Sequence, residues 1–299
     1  MTINTAIVPV AGLGTRLLPI TQAIPKELLP LAGKPILQYV IEELWQAGIR
    51  KTILVTSPAK SEIANCFMTD SKLERRLQET GNSELAQLLW SHSPASGMQF
   101  ETAIQTEQLG LGHAVAIGEK LAADQPVVVA LGDCIIGSQE SRSVVHRMVE
   151  LFDQQKADIV IAFETVSPDK VGRFGIAKPL TNESVFELAD LVEKPNPEQA
   201  PSNLAVAARY AFRPEIFQAL RNTPRGRGNE IQLTDAIRQM IQSGARAYGV
   251  KLQATERRFD MGNLESYTES FIHFAMADPQ LRTIVDMAYR EAGSTREKH

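Results

Sequence analysis

Residues 5–35 constrain the fold of this chain more than any other stretch. An apolar run, Ala6-Ile7-Val8-Pro9-Val10, feeds without a linker into Ala11-Gly12-Leu13-Gly14-Thr15-Arg16, and Pro25-Lys26-Glu27-Leu28-Leu29-Pro30 follows. A short apolar run of this kind reads as a buried strand. Because it opens directly into glycines, it predicts a turn whose backbone N–H groups can face an anion, since glycine permits close approach and unusual dihedrals. Arg16 and Lys26 set two cations beside that turn. The combination suits the phosphates of a nucleoside triphosphate.

The glycine pair also has a plainer reading, as the tight turn that any strand-to-helix crossover needs. It fits neither standard nucleotide fingerprint. The dinucleotide motif requires a third glycine three residues after the second, and position 17 is Leu17. The other phosphate loop ends in Gly-Lys-Ser/Thr, which is absent here. A dinucleotide-binding dehydrogenase is therefore disfavoured, and a different phosphate loop remains.

Downstream, short β-branched runs alternate with helical patterns, the mark of an α/β fold with a mainly parallel sheet and helices on both faces. Residues 6–10, 52–56, 101–105, 127–131 and 158–163 predict strands. Between the first two, Ile36, Tyr39, Val40 and Leu44 recur at helical spacing, opened by Pro35 and closed by Gly48. Beyond Phe174 the strand patterns shorten, through 175–177, 188–192 and 204–212, as a mixed-sheet half would. Residues 71–92 are charged and helix-friendly, an excursion over the sheet edge to which no chemistry is assigned. From 266 to 292 the pattern is helical, with Tyr267, Phe271, Phe274 and Ala275 on one stripe suited to core packing or subunit contact. Residues 293–299 are polar and expected to fray.

With 299 residues the chain can bury a large core, near the limit of what one core supports. One large domain with appendages is expected. A formal net charge of −4 argues against a nucleic-acid or anionic-membrane surface, so any phosphate-binding cations must be concentrated in a cleft. No apolar stretch approaches the roughly 18 residues of a membrane span, and no basic segment followed by an apolar core opens the sequence. A soluble, cytoplasmic protein is expected. Cys66 and Cys134 lie far apart without metal-ligand spacing, which predicts reduced thiols rather than a disulfide framework.

The run from Ala11 through Gly33-Lys34-Pro35 resembles the signature of the sugar-1-phosphate nucleotidyltransferases, and among them the bacterial UTP–glucose-1-phosphate uridylyltransferases. Gly110-Leu111-Gly112-His113-Ala114, Val192-Glu193-Lys194-Pro195, Ser202-Asn203-Leu204-Ala205, Glu230-Ile231-Gln232-Leu233-Thr234-Asp235-Ala236 and Asp260-Met261-Gly262-Asn263 fall in the family's order. The resemblance implies a Rossmann-like fold with a catalytic domain over 1–265, whose N-terminal half binds nucleotide and C-terminal half sugar. It implies a helical segment over 266–299 that makes a subunit contact in a homodimer or homotetramer. The implied reaction is UTP plus glucose 1-phosphate giving UDP-glucose and pyrophosphate, with Mg2+ as cofactor.

Joining a nucleoside triphosphate to a sugar phosphate sets several phosphate charges side by side, so the site must neutralise them and hold the attack in line. The resemblance gives Arg16 and Lys26 to the triphosphate and the metal to Asp133 and Asp260. By position, Asp133 follows an apolar strand, where open α/β sheets bind ligands, although a turn or helix cap uses aspartate equally well. Asp260 alone reads as an ordinary turn residue. Glu193 is given to glucose hydroxyls and Lys194 to phosphate, against the plainer reading of a surface ion pair. Ala11, Gly12, Gly14, Gln105, Gly110 and Gly112 form the implied nucleotide set, with the Gln105 amide able to serve donor and acceptor edges of a pyrimidine. His113 is expected to orient that loop, and Gly175 and Glu230 complete the sugar set.

Some positions depart from the family pattern. Gly132 stands before Asp133 where the uridylyl branch usually has proline, nearer to the thymidylyl relatives, so a dTTP-using transferase stays open as the alternative. Asn229 and Ala208 replace the usual aspartate and glycine. A non-catalytic regulatory paralogue should have lost a phosphate cation or a metal carboxylate, yet Arg16, Lys26, Asp133, Lys194 and Asp260 are all present.

Overall fold

The computed structural model describes residues 3–67, 71–138 and 140–296. Its strands are β1 (Thr5–Pro9), β2 (Pro30–Leu31), β3 (Lys34–Pro35), β4 (Lys51–Thr56), β5 (Gln99–Ile104), β6 (Val127–Ala130), β7 (Cys134–Ser138), β8 (Ile159–Thr165), β9 (Gly175–Pro179), β10 (Val185–Glu193), β11 (Leu204–Phe212), β12 (Ala247–Lys251) and β13 (Glu256–Asp260). Nine of them share one sheet in the order β5-β4-β1-β6-β11-β8-β12-β10-β9. β1 pairs in parallel with β4 and β6, and β4 with β5. From β11 the sense changes, since it runs antiparallel to both β6 and β8. The sheet is therefore mixed, parallel in its N-terminal half and largely antiparallel beyond.

Burial explains the apolar runs. Strands covered on both faces read as continuous hydrophobic sequence, whatever their sense, and β6 and β11 are buried along their whole lengths. Alternate residues of β1 go to opposite layers. Ala6 and Val8 meet Leu37, Val40, Ile41 and Leu44 of the helix Ile36–Gln46. Ile7 joins Ala114 and Val115 of the helix Leu111–Ile117 on the other face. Fully burying each such aliphatic side chain contributes roughly 1.5–3 kcal/mol, which makes β1 the anchor of both layers. The strand thus delivers the glycine loop at a fixed place on the sheet rim.

Charged strands escaped the sequence reading. Asp260, which alone reads as an ordinary turn residue, ends a strand: Glu256–Asp260 pairs antiparallel with β7, placing Asp260 opposite Cys134. Arg257 and Arg258 pair with Glu269 and Glu164, and Glu256 with Arg147, so opposite charges rather than an apolar layer satisfy this ribbon and break the hydrophobic pattern. The 71–92 excursion contains helices Ser71–Glu79 and Ser83–Ala86, and Trp90 packs edge-on to Phe100 of the edge strand β5, with ring centroids 6.0 Å apart.

At the C-terminus two helices, Leu264–Ala277 and Pro279–Arg296, replace the single expected segment. Proline at 279 disfavours helical geometry in the residue before it, which accounts for the break. Much of the aromatic stripe turns inward: Phe274 sits edge-on against Tyr39 and Phe259, and the Tyr267 hydroxyl donates to Pro30 O at 2.8 Å. The last helix continues to Arg296, past the point where fraying was expected, and residues 297–299 lie outside the described residues. Both cysteines are free thiols, and burial pushes the Cys134 pKa up to about 12. No described helix is long and apolar enough to cross a membrane.

Candidate functional site

One cleft of about 1170 Å³ opens where β1, β5 and β6 end, and it runs on to β9, β10 and β13. Every candidate residue except Gly14 and Gly112 lines it. Those two glycines serve the chain itself. Gly14 has φ +66°, caps a short turn, and accepts the Thr21 hydroxyl at its carbonyl, 2.9 Å away. At Gly112 a Cβ would stand 2.7 Å from Ile231 O, so glycine is needed for close backbone packing. Gly110 does line the cleft, but its φ of +92° and a virtual Cβ 2.7 Å from Glu230 Cβ tie it to the 230 segment as well.

At one end of the cleft the Lys26 ammonium contacts the Asp133 carboxylate. Burial alone would lower the Lys26 pKa, but Asp133, Glu27 and Asp260 outweigh it and hold it above the usual lysine range. The Asp133 carbonyl accepts Met261 N–H at 3.0 Å, joining the turn after β6 to the end of β13. Asp260 Oδ1 accepts Gly262 N–H at 2.8 Å and Oδ2 accepts Arg258 Nη1 at 3.3 Å. A Cβ on Gly262 would stand 3.0 Å from Arg16 Nη2, so Arg16 lies beside this same turn.

The donor set suits a hard divalent cation. Asp133 and Asp260 bring carboxylate oxygens to one cleft, and Asp133 already carries a cation in the form of Lys26. Among the described residues no three His, Cys, Asp or Glu side chains gather as a cage. Magnesium-like ions need none, since they keep several waters and use one or two carboxylates.

In the middle of the cleft, Gln105 is only 3% exposed, and its Nε2 lies 3.0 Å from His113 Nδ1. His113 therefore holds the amide's orientation. Gln108, not singled out from sequence, donates to Ala11 O at 3.3 Å and ties this loop to the glycine loop.

At the other end, Glu193 Oε2 accepts the Thr234 hydroxyl at 2.7 Å while Oε1 lies 3.0 Å from Lys194 Nζ. The ion pair weighed against a functional role is thus present, and both its members face the cleft. Lys194 has φ +44°, an uncommon conformation for a non-glycine residue. A Cβ on Gly175 would stand 3.4 Å from Glu193 Oε2 and from Thr234 Oγ1, so a larger side chain would press on that carboxylate. Glu230 is exposed at the rim and accepts Gln232 Nε2 at 3.3 Å.

Several polar residues were missed. Arg258 pairs with Glu164 and lies over the Phe174 ring, 4.7 Å from its centroid. Arg209, fully buried, donates from Nη2 to Glu43 at 2.7 Å and to Cys134 O at 2.8 Å. Its neighbour Ala208, in the position where glycine was expected, has φ +59°. That angle explains the preference for glycine there. Behind the glycine loop Lys60 meets Glu27, both buried. Burial pushes the Glu27 carboxyl up, against the opposing pull of Lys60 and Lys26.

Comparison with known proteins identifies the family. A family model described as nucleotidyl transferase matches residues 5–275, and the chain belongs to that family. Members generally depend on a divalent metal. Within it, the chain is 38% identical over 281 residues to the UTP–glucose-1-phosphate uridylyltransferase of Bacillus subtilis strain 168, covering 94% of each chain. The solved UDP-glucose pyrophosphorylase from Acinetobacter baumannii superposes with a TM-score of 0.88 at 32% identity, covering 97% of this chain and 99% of that one. A UDP-glucose pyrophosphorylase solved in complex with UDP-glucose gives a TM-score of 0.80 at 35% identity, covering 92% of this chain and 100% of that one.

Proposed function

We propose that the chain transfers the uridylyl group of UTP to glucose 1-phosphate, forming UDP-glucose and pyrophosphate. The observation that carries this reading is the convergence of two charged constellations on one cleft: Arg16, Lys26, Asp133 and Asp260 at one end, Glu193 and Lys194 at the other. A phosphate oxygen of the sugar attacks the α-phosphorus of UTP in line, and the bond to the β-phosphate oxygen breaks as the new one forms. Arg16 and Lys26 stabilise the departing pyrophosphate, Arg16 through its planar donors and Lys26 as a point charge. Lys194 screens the sugar phosphate, and Glu193, held by Thr234, accepts glucose hydroxyls. Ala11, Gly12, Gln105 and Gly110 position the uridine. Asp133 and Asp260 would hold Mg2+, which neutralises phosphate oxygens when bound. No protein nucleophile takes part.

The catalytic body spans residues 1–265 in this reading, and the segment that follows, helical as far as Arg296, supports a homodimer or homotetramer. Phe271, Ile272, Ile284, Met287 and Tyr289 stay exposed on its helices, as a subunit contact requires. The dTTP alternative rested on Gly132. A Cβ there would stand 2.5 Å from Val10 Cγ1, so this glycine answers to packing against β1's end rather than to the base. Pyrophosphate release measured with ATP, GTP, UTP and dTTP should favour UTP over dTTP at least about tenfold in kcat/KM, the scale on which a shaped pocket separates close analogues. Equal or faster turnover with dTTP would transfer the assignment to the thymidylyl branch.

A further inference from the structure

Beneath the glycine loop lies a buried ion pair that the transfer reaction does not itself call for. Lys60, in the turn after β4, donates from Nζ to Val10 O at 2.9 Å, to Gly12 O at 2.5 Å and to Glu27 Oε2 at 2.9 Å. An ammonium has three donors, and all are used. Lys60 is 7% exposed and Glu27 1% exposed. A buried pair of this kind is weak evidence for stability, because desolvation offsets much of its attraction. Its geometry says more.

In a trans peptide the carbonyl of one residue and the N–H of the next point in opposite directions. By drawing the Val10 and Gly12 carbonyls inward, Lys60 turns the N–H groups of Ala11 and Leu13 away from the core, toward the side where Ala11 and Gly12 line the cleft. Its third bond fixes Glu27, the neighbour of Lys26, whose ammonium reaches Asp133. One buried side chain thus sets both the N–H face of the loop and the segment bearing Lys26. Glycine-rich turns are mobile without such a tether, since glycine restricts its own dihedrals least.

We infer that Lys60, through Glu27 and the loop carbonyls, is a positioning residue for the triphosphate of the nucleotide substrate. The inference rests on the proposed uridylyl transfer, and the two fail separately. In Lys60→Met the KM for UTP should rise at least about tenfold, the scale of a lost charge-assisted hydrogen-bond network, while the KM for glucose 1-phosphate stays within about twofold. Because Lys60→Met leaves Glu27 buried and unpaired, the neutral double variant Glu27→Gln/Lys60→Met is measured beside it. It removes both charges, should melt close to the parent, and should show the same split between the two KM values. A UTP KM like the parent's in the folded double variant, or both KM values rising together, would overturn the inference. A parent that forms no UDP-glucose would instead strike the proposed reaction.

Discussion

Asp133→Asn should lower kcat at least about a thousandfold, equivalent to roughly 4 kcal/mol of transition-state stabilisation. Asparagine keeps the shape of the side chain but removes the negative charge that, in the proposed site, would hold a divalent cation and that draws the Lys26 ammonium into place. The fold should survive, because the link to β13 runs through the Asp133 carbonyl rather than its side chain. Circular dichroism and the melting curve would therefore stay near those of the parent while turnover disappears. A variant within about tenfold of the parent would remove Asp133 from the reacting centre, since losses of key charge stabilisers in such sites run to several hundredfold.

Arg16→Ala should lower kcat/KM for UTP by about a hundredfold to a thousandfold, the range seen when a donor aimed at developing charge is removed. Arg16 is exposed and sits beside the Asp260–Gly262 turn rather than in the core. Exposed substitutions of this sort usually move stability by no more than about 0.5 kcal/mol. The expected signature is a large kinetic loss with an unaltered melting temperature. A loss below about threefold would assign the guanidinium to solvent and leave the triphosphate to Lys26 and the loop N–H groups.

Much of this was legible because burial on both faces writes itself as apolar sequence. β1, β6 and β11 announce themselves in that way, and the position of Asp133 at the end of β6 follows from the strand alone. The ribbon strand β13 did not, since Arg257 and Arg258 satisfy their charges on Glu269 and Glu164 and leave no hydrophobic period to read. Lys60 was invisible for another reason: it meets Glu27 across 33 residues of chain, and nothing local in Ser57-Pro58-Ala59-Lys60 marks it. The glycines divided only on inspection. Gly14 is required by a left-handed dihedral, Gly112 and Gly132 by backbone or side chains pressed against them, and a sequence shows the same letter for each.

Direct transfer without a protein-bound intermediate is the central claim, and UTP labelled at the α-phosphate tests it most directly. With enzyme and a divalent ion but no sugar phosphate, the account predicts no pyrophosphate release and no label on the protein; adding glucose 1-phosphate should convert the label to UDP-glucose, one pyrophosphate per molecule formed. Release of pyrophosphate from UTP alone with label retained on the chain, or failure to form labelled UDP-glucose when both substrates are present, would contradict it.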